Sequence, residues 1–263
     1  MKKVCIVIPI YRSNIGSLEE TSLRQAARIF KNRDIILISP EGLDVSTILD
    51  MIPGATVRRF NPDYFKGIPG YNSLMMSAEF YGRFTDYEYM LIYQTDAYVF
   101  NDSLDSWCDR GYDYVGAPWL VRPIYNHPLL KLGSAIKHGV RKLAGLPDLK
   151  ATWWKVGNGG LSLRKIKPHL TAVERLDSIV SEFLSHKGNH IYNEDVFFST
   201  EVNKHGLGFS YPDWREALQF SFDKYPALCY ELNGNRLPMG CHSWYKKRMR
   251  KFWFPIILGH SDT

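Results

Sequence analysis

The sequence predicts an α/β fold in which helices flank a mostly parallel central sheet. Apolar runs of strand length alternate with segments of helical length over the first hundred residues, which is the pattern of a doubly wound sheet. The 263 residues suit one α/β domain or at most two small ones. The hydrophobic content of 45% is sufficient for a substantial core. We therefore expect a single α/β domain.

The predicted elements follow each other in strand–helix order. Residues 4–11 form a nearly continuous apolar run, as expected for a first strand buried on both faces of a parallel sheet. A helix is predicted over 17–30, further strands over 34–39 and 56–60, and a second helix over 71–84. No Gly-x-Gly-x-x-Gly follows the first strand, which argues against an NAD or FAD site.

The stretch 87–100 predicts a buried strand that leads into a lone carboxylate. Met90, Leu91 and Ile92 form its apolar part, and Asp96 stands at its carboxyl end. Ligands of open α/β sheets bind outside the carboxyl ends of the strands. A carboxylate there can hold a divalent cation against a nucleotide diphosphate. An Asp that only caps the following turn gives the same pattern, so the strand alone leaves both interpretations open.

Three later segments carry further candidate site residues. Three glycines in the four residues 157–160 precede an alternating strand, which marks a place where backbone approaches a ligand closely. Glu194 and Asp195 open an apolar run, where they suit the N-terminus of a helix and its dipole. His242 is either a structural residue or a ligand for a transition metal such as manganese.

In this order, the four elements resemble the GT-A glycosyltransferases. Those enzymes carry an Asp-x-Asp metal motif after a central strand, a glycine-rich donor and acceptor segment, a Glu-Asp motif with the catalytic base, and a late His. The strings Asp96-Ala97-Tyr98-Val99-Phe100 and Glu194-Asp195-Val196 look most like those of inverting β-1,3-galactosyl- and N-acetylglucosaminyltransferases. Tyr98 is a departure from the motif, because it stands where the second Asp is expected.

A longer pattern is similar to a bacterial family of uncharacterised glycosyltransferase-like domains. It includes Trp107-Cys108, the string 112–119 and Asn158-Gly159-Gly160, and it extends over roughly residues 4 to 245. The resemblance implies that 1–245 form one GT-A-like domain.

The resemblance also implies roles for individual residues. Asp195 would be the general base that accepts the proton of the acceptor hydroxyl, and Glu194 would hydrogen-bond the acceptor or the donor sugar. Asp96 and His242 would hold a divalent cation, Mn²⁺ or Mg²⁺, against the leaving diphosphate. The residues expected to bind the nucleotide sugar are Pro9, Tyr11, Tyr71, Asn72, Asp96, Asn158, Gly159 and Gly160.

The domain is expected to have two halves, followed by a tail. Residues 1–100 would bind the nucleotide, and 101–245 would bind the acceptor and include an insertion at 121–152. Apolar residues at spacings of three and four between 129 and 143 predict an amphipathic helix in that insertion. This helix either packs on the domain, closes over the acceptor or lies on a membrane surface. Trp153-Trp154 follows it and could form a stacking platform for the acceptor.

The tail, residues 246–263, concentrates five basic residues in six positions before an aromatic segment. This composition suits the surface of an anionic bilayer, although a solvated charge run whose apolar end packs on the domain is the alternative. The net charge of +6 fits an anionic substrate or membrane. No nucleic-acid-binding signature accompanies the charge, so nucleic acid is not an expected partner.

Location and redox state follow from the cysteines and from the apolar runs. The four cysteines are scattered without Cys-x-x-Cys spacing, which favours free thiols in a reducing cytoplasm. Met1-Lys2-Lys3 leads directly into the first strand without a signal peptide. No apolar stretch reaches the roughly 20 residues that span a bilayer. We expect a cytoplasmic protein attached peripherally to the inner face of the plasma membrane.

The sequence and the resemblance together predict an inverting glycosyltransferase. Its donor would be a nucleotide-diphosphate sugar, by resemblance a UDP-sugar, and its acceptor a saccharide, lipid-linked or protein-linked, in surface polysaccharide synthesis. A nucleotidyltransferase is one alternative, although the usual glycine- and lysine-rich loop is absent after the first strand, at 9–14. A carbohydrate- or membrane-binding module that has lost its chemistry is the other, and Tyr98 supports it.

Overall fold

The computed structural model describes residues 1–121 and 150–259. Most of the predicted insertion, including the helix predicted at 129–143, lies outside the described residues. The strands of the described part are β1 (Lys2–Pro9), β2 (Asp34–Pro40), β3 (Thr56–Phe60), β4 (Tyr87–Tyr93), β5 (Tyr98–Val99), β6 (Tyr114–Val115), β7 (Ala117–Pro118), β8 (Val156–Gly157), β9 (Leu161–Lys165), β10 (Ser221–Phe222) and β11 (Gly240–Cys241).

Helices lie on both sides of these strands. They are α1 (Ser17–Ile29), α2 (Ser46–Met51), α3 (Gly67–Met75), α4 (Ala78–Gly82), α5 (Leu104–Asp109), α6 (Ile166–Arg175), α7 (Asp177–Ser185), α8 (Glu194–Val196), α9 (Trp214–Phe220), α10 (Pro226–Leu232) and α11 (Arg250–Ile257). Shorter helical turns are Pro62–Phe65, His190–Tyr192 and Val202–His205, and a π-helical turn, Phe197–Glu201, continues α8.

The central sheet has six strands in the order β3-β2-β1-β4-β9-β6. The first four strands in this order are parallel, and β9 runs antiparallel to both β4 and β6. In the register of the sheet, Ile6 lies opposite Ile35 on one side and Leu91 on the other. The predicted α/β class with a mostly parallel central sheet flanked by helices is confirmed.

The core lies in two layers because successive residues of a strand face opposite sides of the sheet. Ile6 and Ile8 of β1 pack in the layer that contains the buried residues of α1. Cys5 and Val7 pack in the opposite layer with Phe80 of α4. The named side chains of β1 and Phe80 are completely buried. The continuous apolar run of the first strand follows from this burial on both faces.

The predicted helix at 71–84 is wrong as a single element, because the chain breaks between α3 and α4. The Ser77 hydroxyl accepts a hydrogen bond from the backbone N–H of Phe80 at 3.1 Å and donates one to the Leu74 carbonyl at 2.8 Å. A serine that bonds to nearby backbone offers an alternative to the continuing helix and favours a cap. Ser77 therefore begins α4 instead of extending α3.

A small second sheet brings the late part of the chain to the end of β4. β11 pairs antiparallel with β5, with Cys241 opposite Tyr98, and parallel with β10. The residue after β11 is His242, and the residue two before β5 is Asp96. The pairing therefore sets these two side chains side by side.

The tail begins with exposed basic residues and continues as α11, which packs on the domain. Trp253 is completely buried in a third apolar cluster together with Tyr98, Phe222 and Trp244. Burial of a large aromatic ring stabilises the folded protein, and the burial of Trp253 therefore holds α11 on the domain. Of the two interpretations that the sequence left open, packing describes the apolar end of the tail. Among the described helices, none combines the length and the apolar character needed to cross a bilayer.

Candidate functional site

A cleft of about 360 Å³ opens at the carboxyl end of the central strands. We call it the strand-end cleft. Its position agrees with the rule that open α/β sheets bind ligands outside the carboxyl ends of their strands. Its walls are formed by Ile68, Tyr71, Asn72, Gln94, Trp119, Asn158, Gly159, Gly160, Asn193, Glu194, Asp195, Asp223, Lys224, His242, Ser243, Lys246 and Met249.

The glycine-rich segment forms one wall of the strand-end cleft. Asn158 adopts a left-handed backbone with φ of 74°, and its side-chain oxygen accepts a hydrogen bond from the N–H of Gly160 at 2.9 Å. A Cβ at Gly159 would lie 1.8 Å from Oε1 of Glu194, and one at Gly160 would lie 2.1 Å from Nε2 of His242. Only glycine fits at both positions, because the opposing side chains lie directly against the backbone.

His242 is held between two carboxylates. Its Nε2 lies 3.0 Å from Oδ1 of Asp96, and its Nδ1 lies 3.3 Å from Oδ1 of Asp223 and 3.2 Å from the Ser243 hydroxyl. Burial alone would lower the pKa of His242, but the charge of Asp96 and the hydrogen bonds of both carboxylates outweigh it and raise this pKa to about 9. The imidazole is therefore charged at neutral pH.

Asp96 lies behind the wall of the strand-end cleft and is covered by two cationic groups. Besides His242 at Oδ1, the Nζ of Lys246 lies 3.2 Å from Oδ2. Burial raises the pKa of Asp96, but the charges and hydrogen bonds of His242 and Lys246 hold this pKa well below its usual range. Sequence reasoning missed Lys246. The available signal was its place four residues after His242, at the start of the basic run.

Asp96 and His242, the predicted ligands of a divalent cation, do not fit a metal site in this arrangement. Nε2 of His242 is buried against Asp96, and the ammonium group of Lys246 covers the second oxygen of Asp96. A cation would have to separate these groups and would be repelled by Lys246. Within residues 1–121 and 150–259, no group of three His, Cys, Asp or Glu side chains is arranged to hold a metal ion.

Glu194 is directed into the protein, where it pairs with an arginine that sequence reasoning missed. Nη2 of Arg164 lies 2.9 Å from Oε2 and 3.1 Å from Oε1 of Glu194, and neither side chain is more than 3% exposed. Burial raises the pKa of Glu194 to about 7, against the opposing effect of Arg164. No local signal singled out Arg164, because β9 alternates apolar and polar residues and a charge on the polar face of such a strand is ordinary.

Tyr71 and Asn72 connect helix α3 to two other parts of the strand-end cleft, which are the glycine-rich segment and the segment that contains Glu194. The amide oxygen of Asn72 accepts the backbone N–H of Glu194 at 3.2 Å, and its nitrogen donates to the Asn193 side chain at 3.1 Å. The Tyr71 hydroxyl donates to the carbonyl of Gly159 at 3.4 Å. These two predicted residues therefore hold the glycine-rich segment and the Glu194 loop in position.

Two other predicted residues lie away from the walls of the strand-end cleft. Pro9 is buried at the end of β1. Tyr11 packs between Phe65 and Tyr71, with ring centroids 5.8 and 6.4 Å away. Contact of Pro9 and Tyr11 with a ligand stays a prediction.

Asp195 lies where the strand-end cleft meets a second cavity of about 540 Å³, which we call the aromatic cavity. Its Oδ1 accepts the backbone N–H of Val196 at 2.9 Å. Burial raises the pKa of Asp195, and the backbone N–H groups of Val196 and Gly159 oppose that rise. The walls of the aromatic cavity are Pro118, Trp119, Leu120, Val121, Ala151, Thr152, Trp153, His190, Ile191, Asn193, Asp195, Val196, Lys224 and Tyr225.

The two adjacent tryptophans predicted to form one stacking platform face different cavities. Trp153 lines the aromatic cavity. Trp154, whose φ is 61°, packs against Trp214 with ring centroids 4.9 Å apart and lines a separate cavity of about 370 Å³.

Residues 54–242 match the sequence profile of DUF5672, a family described as proteins of unknown function. The chain belongs to this family. The match includes Asp96, Asp195 and His242 and ends before Lys246. Among curated proteins, none matches the sequence of this DUF5672 member.

Several solved structures share the fold of this DUF5672 chain. The galactosyltransferase LgtC, in complex with donor and acceptor sugar analogues, is 12% identical, with 94% of each chain covered and a TM-score of 0.53. Mouse xyloside xylosyltransferase 1 is 12% identical, with 92% of this chain and 97% of its own covered and a TM-score of 0.50. Core-mannan synthase A from Aspergillus fumigatus, in an Mn/GDP form, is 10% identical, with 82% and 73% covered and a TM-score of 0.50.

These similarities show the fold, which is the GT-A fold of glycosyltransferases. They confirm the fold implied by the sequence motifs. The inverting β-1,3 type of transferase stays a prediction.

Proposed function

We propose that this chain transfers a glycosyl group from a nucleotide-diphosphate sugar to an acceptor hydroxyl. The observation that carries the proposal is the position of Asp195, whose carboxylate stands where the strand-end cleft meets the aromatic cavity. One cavity suits the donor and the other the acceptor. A base at their junction can therefore accept the proton of the acceptor hydroxyl as this hydroxyl attacks the donor. The volumes of both cavities are in the range of small-molecule sites.

The strand-end cleft suits a donor whose leaving group is anionic. Lys224, His242 and Lys246 line it and provide positive charge, which favours a diphosphate and the negative charge that develops as it leaves. Gly159 and Gly160 also line the cleft, where they let the side chains of Glu194 and His242 lie directly against the backbone. By the sequence resemblance, the nucleotide would be UDP.

The aromatic cavity suits a saccharide acceptor. Trp119, Trp153 and Tyr225 line it together with polar residues such as His190 and Asn193. Aromatic rings present an apolar face to the C–H groups of a pyranose, and neighbouring polar groups can bind its hydroxyls. A lipid-linked or protein-linked saccharide would enter this cavity with its reactive hydroxyl toward Asp195.

The proposed reaction is a single displacement. Asp195 accepts the proton of the acceptor hydroxyl, whose oxygen forms a bond to the anomeric carbon of the donor while the bond from that carbon to the phosphate oxygen breaks. The nucleoside diphosphate leaves with the bonding electron pair. Burial raises the pKa of Asp195 and so improves it as a base near neutral pH. Glu194 is paired with Arg164, which leaves Asp195 as the carboxylate of this motif that can act as the base and favours an inverting outcome.

Donor turnover by Asp195→Asn tests the proposal. We expect transfer to saccharide acceptors, and to water in donor hydrolysis, to fall by about 10²- to 10⁴-fold, because the amide cannot accept the proton. Donor affinity should stay the same, because the substitution changes neither the shape of the site nor its cationic wall. Release of nucleoside diphosphate and calorimetric titration with UDP-sugars and GDP-sugars measure the two quantities.

Asp50→Asn is the matched control, because Asp50 is an exposed carboxylate of α2 outside both cavities. Turnover by Asp195→Asn equal to that of the control would remove Asp195 from the role of base. A wild-type protein that binds nucleotide sugars and never releases the diphosphate would be a binding module. If no nucleotide sugar binds, the proposed function itself is wrong.

A further inference from the structure

We propose that Lys246 supplies the positive charge that holds the diphosphate of the donor, so that this chain binds its donor without a divalent cation. This inference rests on the proposed function and concerns the same strand-end cleft. It assigns a ligand-binding role to a residue of the basic tail, four positions beyond the matched family segment.

The first observation concerns the place of the missing carboxylate. Tyr98 stands where the second Asp of a metal motif is expected, and its ring is packed in the third apolar cluster. Its ring centroid lies 5.3 Å from that of Phe100 and 5.8 Å from that of Trp244. This position therefore faces the protein interior, and no metal ligand from it reaches the strand-end cleft.

The second observation concerns Asp96, the carboxylate that remains. Oδ1 of Asp96 lies 3.0 Å from Nε2 of His242, and Oδ2 lies 3.2 Å from Nζ of Lys246. Asp96 is absent from the walls of the strand-end cleft, whereas Lys246 and His242 form part of them. A ligand that enters the cleft therefore meets the ammonium group before it meets the carboxylate.

The third observation is that the ammonium group of Lys246 is fixed and still has a donor for a ligand. The backbone N–H of Lys246 donates to the Ser243 carbonyl at 3.1 Å, and that of Trp244 donates to the Asp96 carbonyl at 3.3 Å. Nζ donates to the Ser243 hydroxyl at 2.8 Å and faces Asp96. An ammonium group has three donors, and the side chain is 59% exposed, so the third can bind a phosphate oxygen.

The charges in the cleft agree with this role. Lys224 also lines the strand-end cleft, so two lysines together bring as much positive charge to it as one divalent cation. The carboxylate that holds a cation in a metal site here holds a lysine instead.

Nucleotide binding in the presence and absence of metal tests the proposal. The probes are UDP and GDP, titrated calorimetrically into the full chain with excess chelator and then with Mn²⁺. We expect the same Kd under both conditions for the wild type. Lys246→Met should weaken binding by about 10- to 100-fold under both conditions, as expected for the loss of a charged hydrogen bond, and Lys246→Arg should retain most of the affinity.

Lys247→Met is the matched control, because Lys247 is an exposed neighbour that does not line the cleft, and its Kd should equal that of the wild type. Thermal melting shows whether each variant is folded, and the wild-type Kd in chelator and in Mn²⁺ keeps the test decisive if Lys246→Met is unfolded. Wild-type binding that requires Mn²⁺ would overturn this inference and leave the proposed function intact. Unchanged binding by folded Lys246→Met would also overturn it. No binding of any nucleotide or nucleotide sugar under either condition would overturn the proposed function as well.

Discussion

His242 shows how two neighbouring carboxylates define the charge of a single residue. With Asp96 at one ring nitrogen and Asp223 at the other, both nitrogens face acceptors, so the doubly protonated imidazolium is the favoured form. His242 binds this proton more tightly in the folded protein than in the unfolded chain, because these contacts do not exist in the unfolded chain. Folding and proton binding are therefore linked at this residue.

This linkage predicts a stability that falls as the pH rises. The pKa of His242 is about 9 when folded, above the ordinary value of 6.5. The contribution of the His242 proton to the free energy of unfolding is therefore complete below pH 6.5 and is lost as the pH rises through about 9. The free-energy advantage of the wild type over His242→Gln should shrink by roughly 1 to 3 kcal/mol across this interval. Urea unfolding at pH 6.0, 7.5 and 9.5 measures it.

His205→Gln provides the comparison, because His205 is exposed on the surface. Its free-energy difference from the wild type should vary far less over the same interval. An equal pH dependence of the two variants would mean that His242 is not held as an imidazolium.

At the residue scale, the sequence could predict side chains that lie close to their chemical context in the chain. Asp96 follows the end of a buried strand, and Asp195 lies in the first turn of a helix, so local position singled them out. Arg164 and Lys246 depend on partners 30 and 150 residues away, Glu194 and Asp96. No local periodicity in the sequence identifies partners that are so far apart in the chain.

At the scale of elements, the ion pair between Arg164 and Glu194 joins the central sheet to the loop that carries Asp195. Arg164 belongs to β9, and Glu194 begins α8. Arg164 is also within hydrogen-bonding distance of the hydroxyls of Tyr81 at 3.0 Å and Ser162 at 3.1 Å. A buried charge with several partners is strongly destabilising when one partner is removed.

Arg164→Met should therefore lower the free energy of unfolding by about 3 to 5 kcal/mol, because it leaves the Glu194 carboxylate buried without its cation. The double variant Arg164→Met with Glu194→Leu should lose less than the sum of the two single losses, because it removes both charges. Chemical denaturation of the four proteins gives the coupling energy.

Lys204→Met is the surface comparison, because its ion pair with Glu201 at 2.7 Å has a lysine that is 58% exposed. Such pairs contribute about 0 to 1 kcal/mol. If Arg164→Met lowers the free energy of unfolding no more than Lys204→Met does, Arg164 does not anchor α8, the helical turn that contains Asp195.

The elements that the sequence predicted well are those long enough to show a period. The strands β1, β2 and β4 were visible as apolar runs and β3 as a short strand, and the predicted helix at 17–30 covers the whole of α1. The strands β5 and β11 have two residues each, so they show no alternation. Their pairing nevertheless positions His242 beside Asp96, and it could be found only from the folded chain.

At the scale of the whole molecule, the tail separates into a packed part and a charged part. Trp253 is buried, and Lys246 reaches the strand-end cleft, so deletion of 246–263 would remove more than a surface charge. The sequence alone had placed every candidate site residue before Lys246. Membrane attachment of the tail stays a prediction, and its test must spare both residues.

Replacement of Lys247, Arg248 and Lys251 by Gln meets that requirement, because all three are exposed. We expect the triple variant to bind phosphatidylserine vesicles more weakly, by roughly 1 kcal/mol for each charge. Its melting temperature should stay unchanged. Co-sedimentation at low and high salt measures the binding, which should also weaken with salt because screening shortens to about 8 Å at physiological ionic strength.

Neutral phosphatidylcholine vesicles are the control, since they lack the anionic headgroup. Equal sedimentation of the wild type and the triple variant with anionic vesicles would show that these three charges do not attach the protein to a membrane.

The pairing of β11 with β5 also has a consequence for the protein while it is being synthesised. Asp96 leaves the ribosome 150 residues before Lys246. At the usual elongation rate, this is an interval of roughly 8 to 30 s. For nearly all of that time, Asp96 has neither of its cationic partners, and the cleft residues from Trp119 onward are still being synthesised. A nascent chain therefore has no complete donor site until synthesis has passed Lys246.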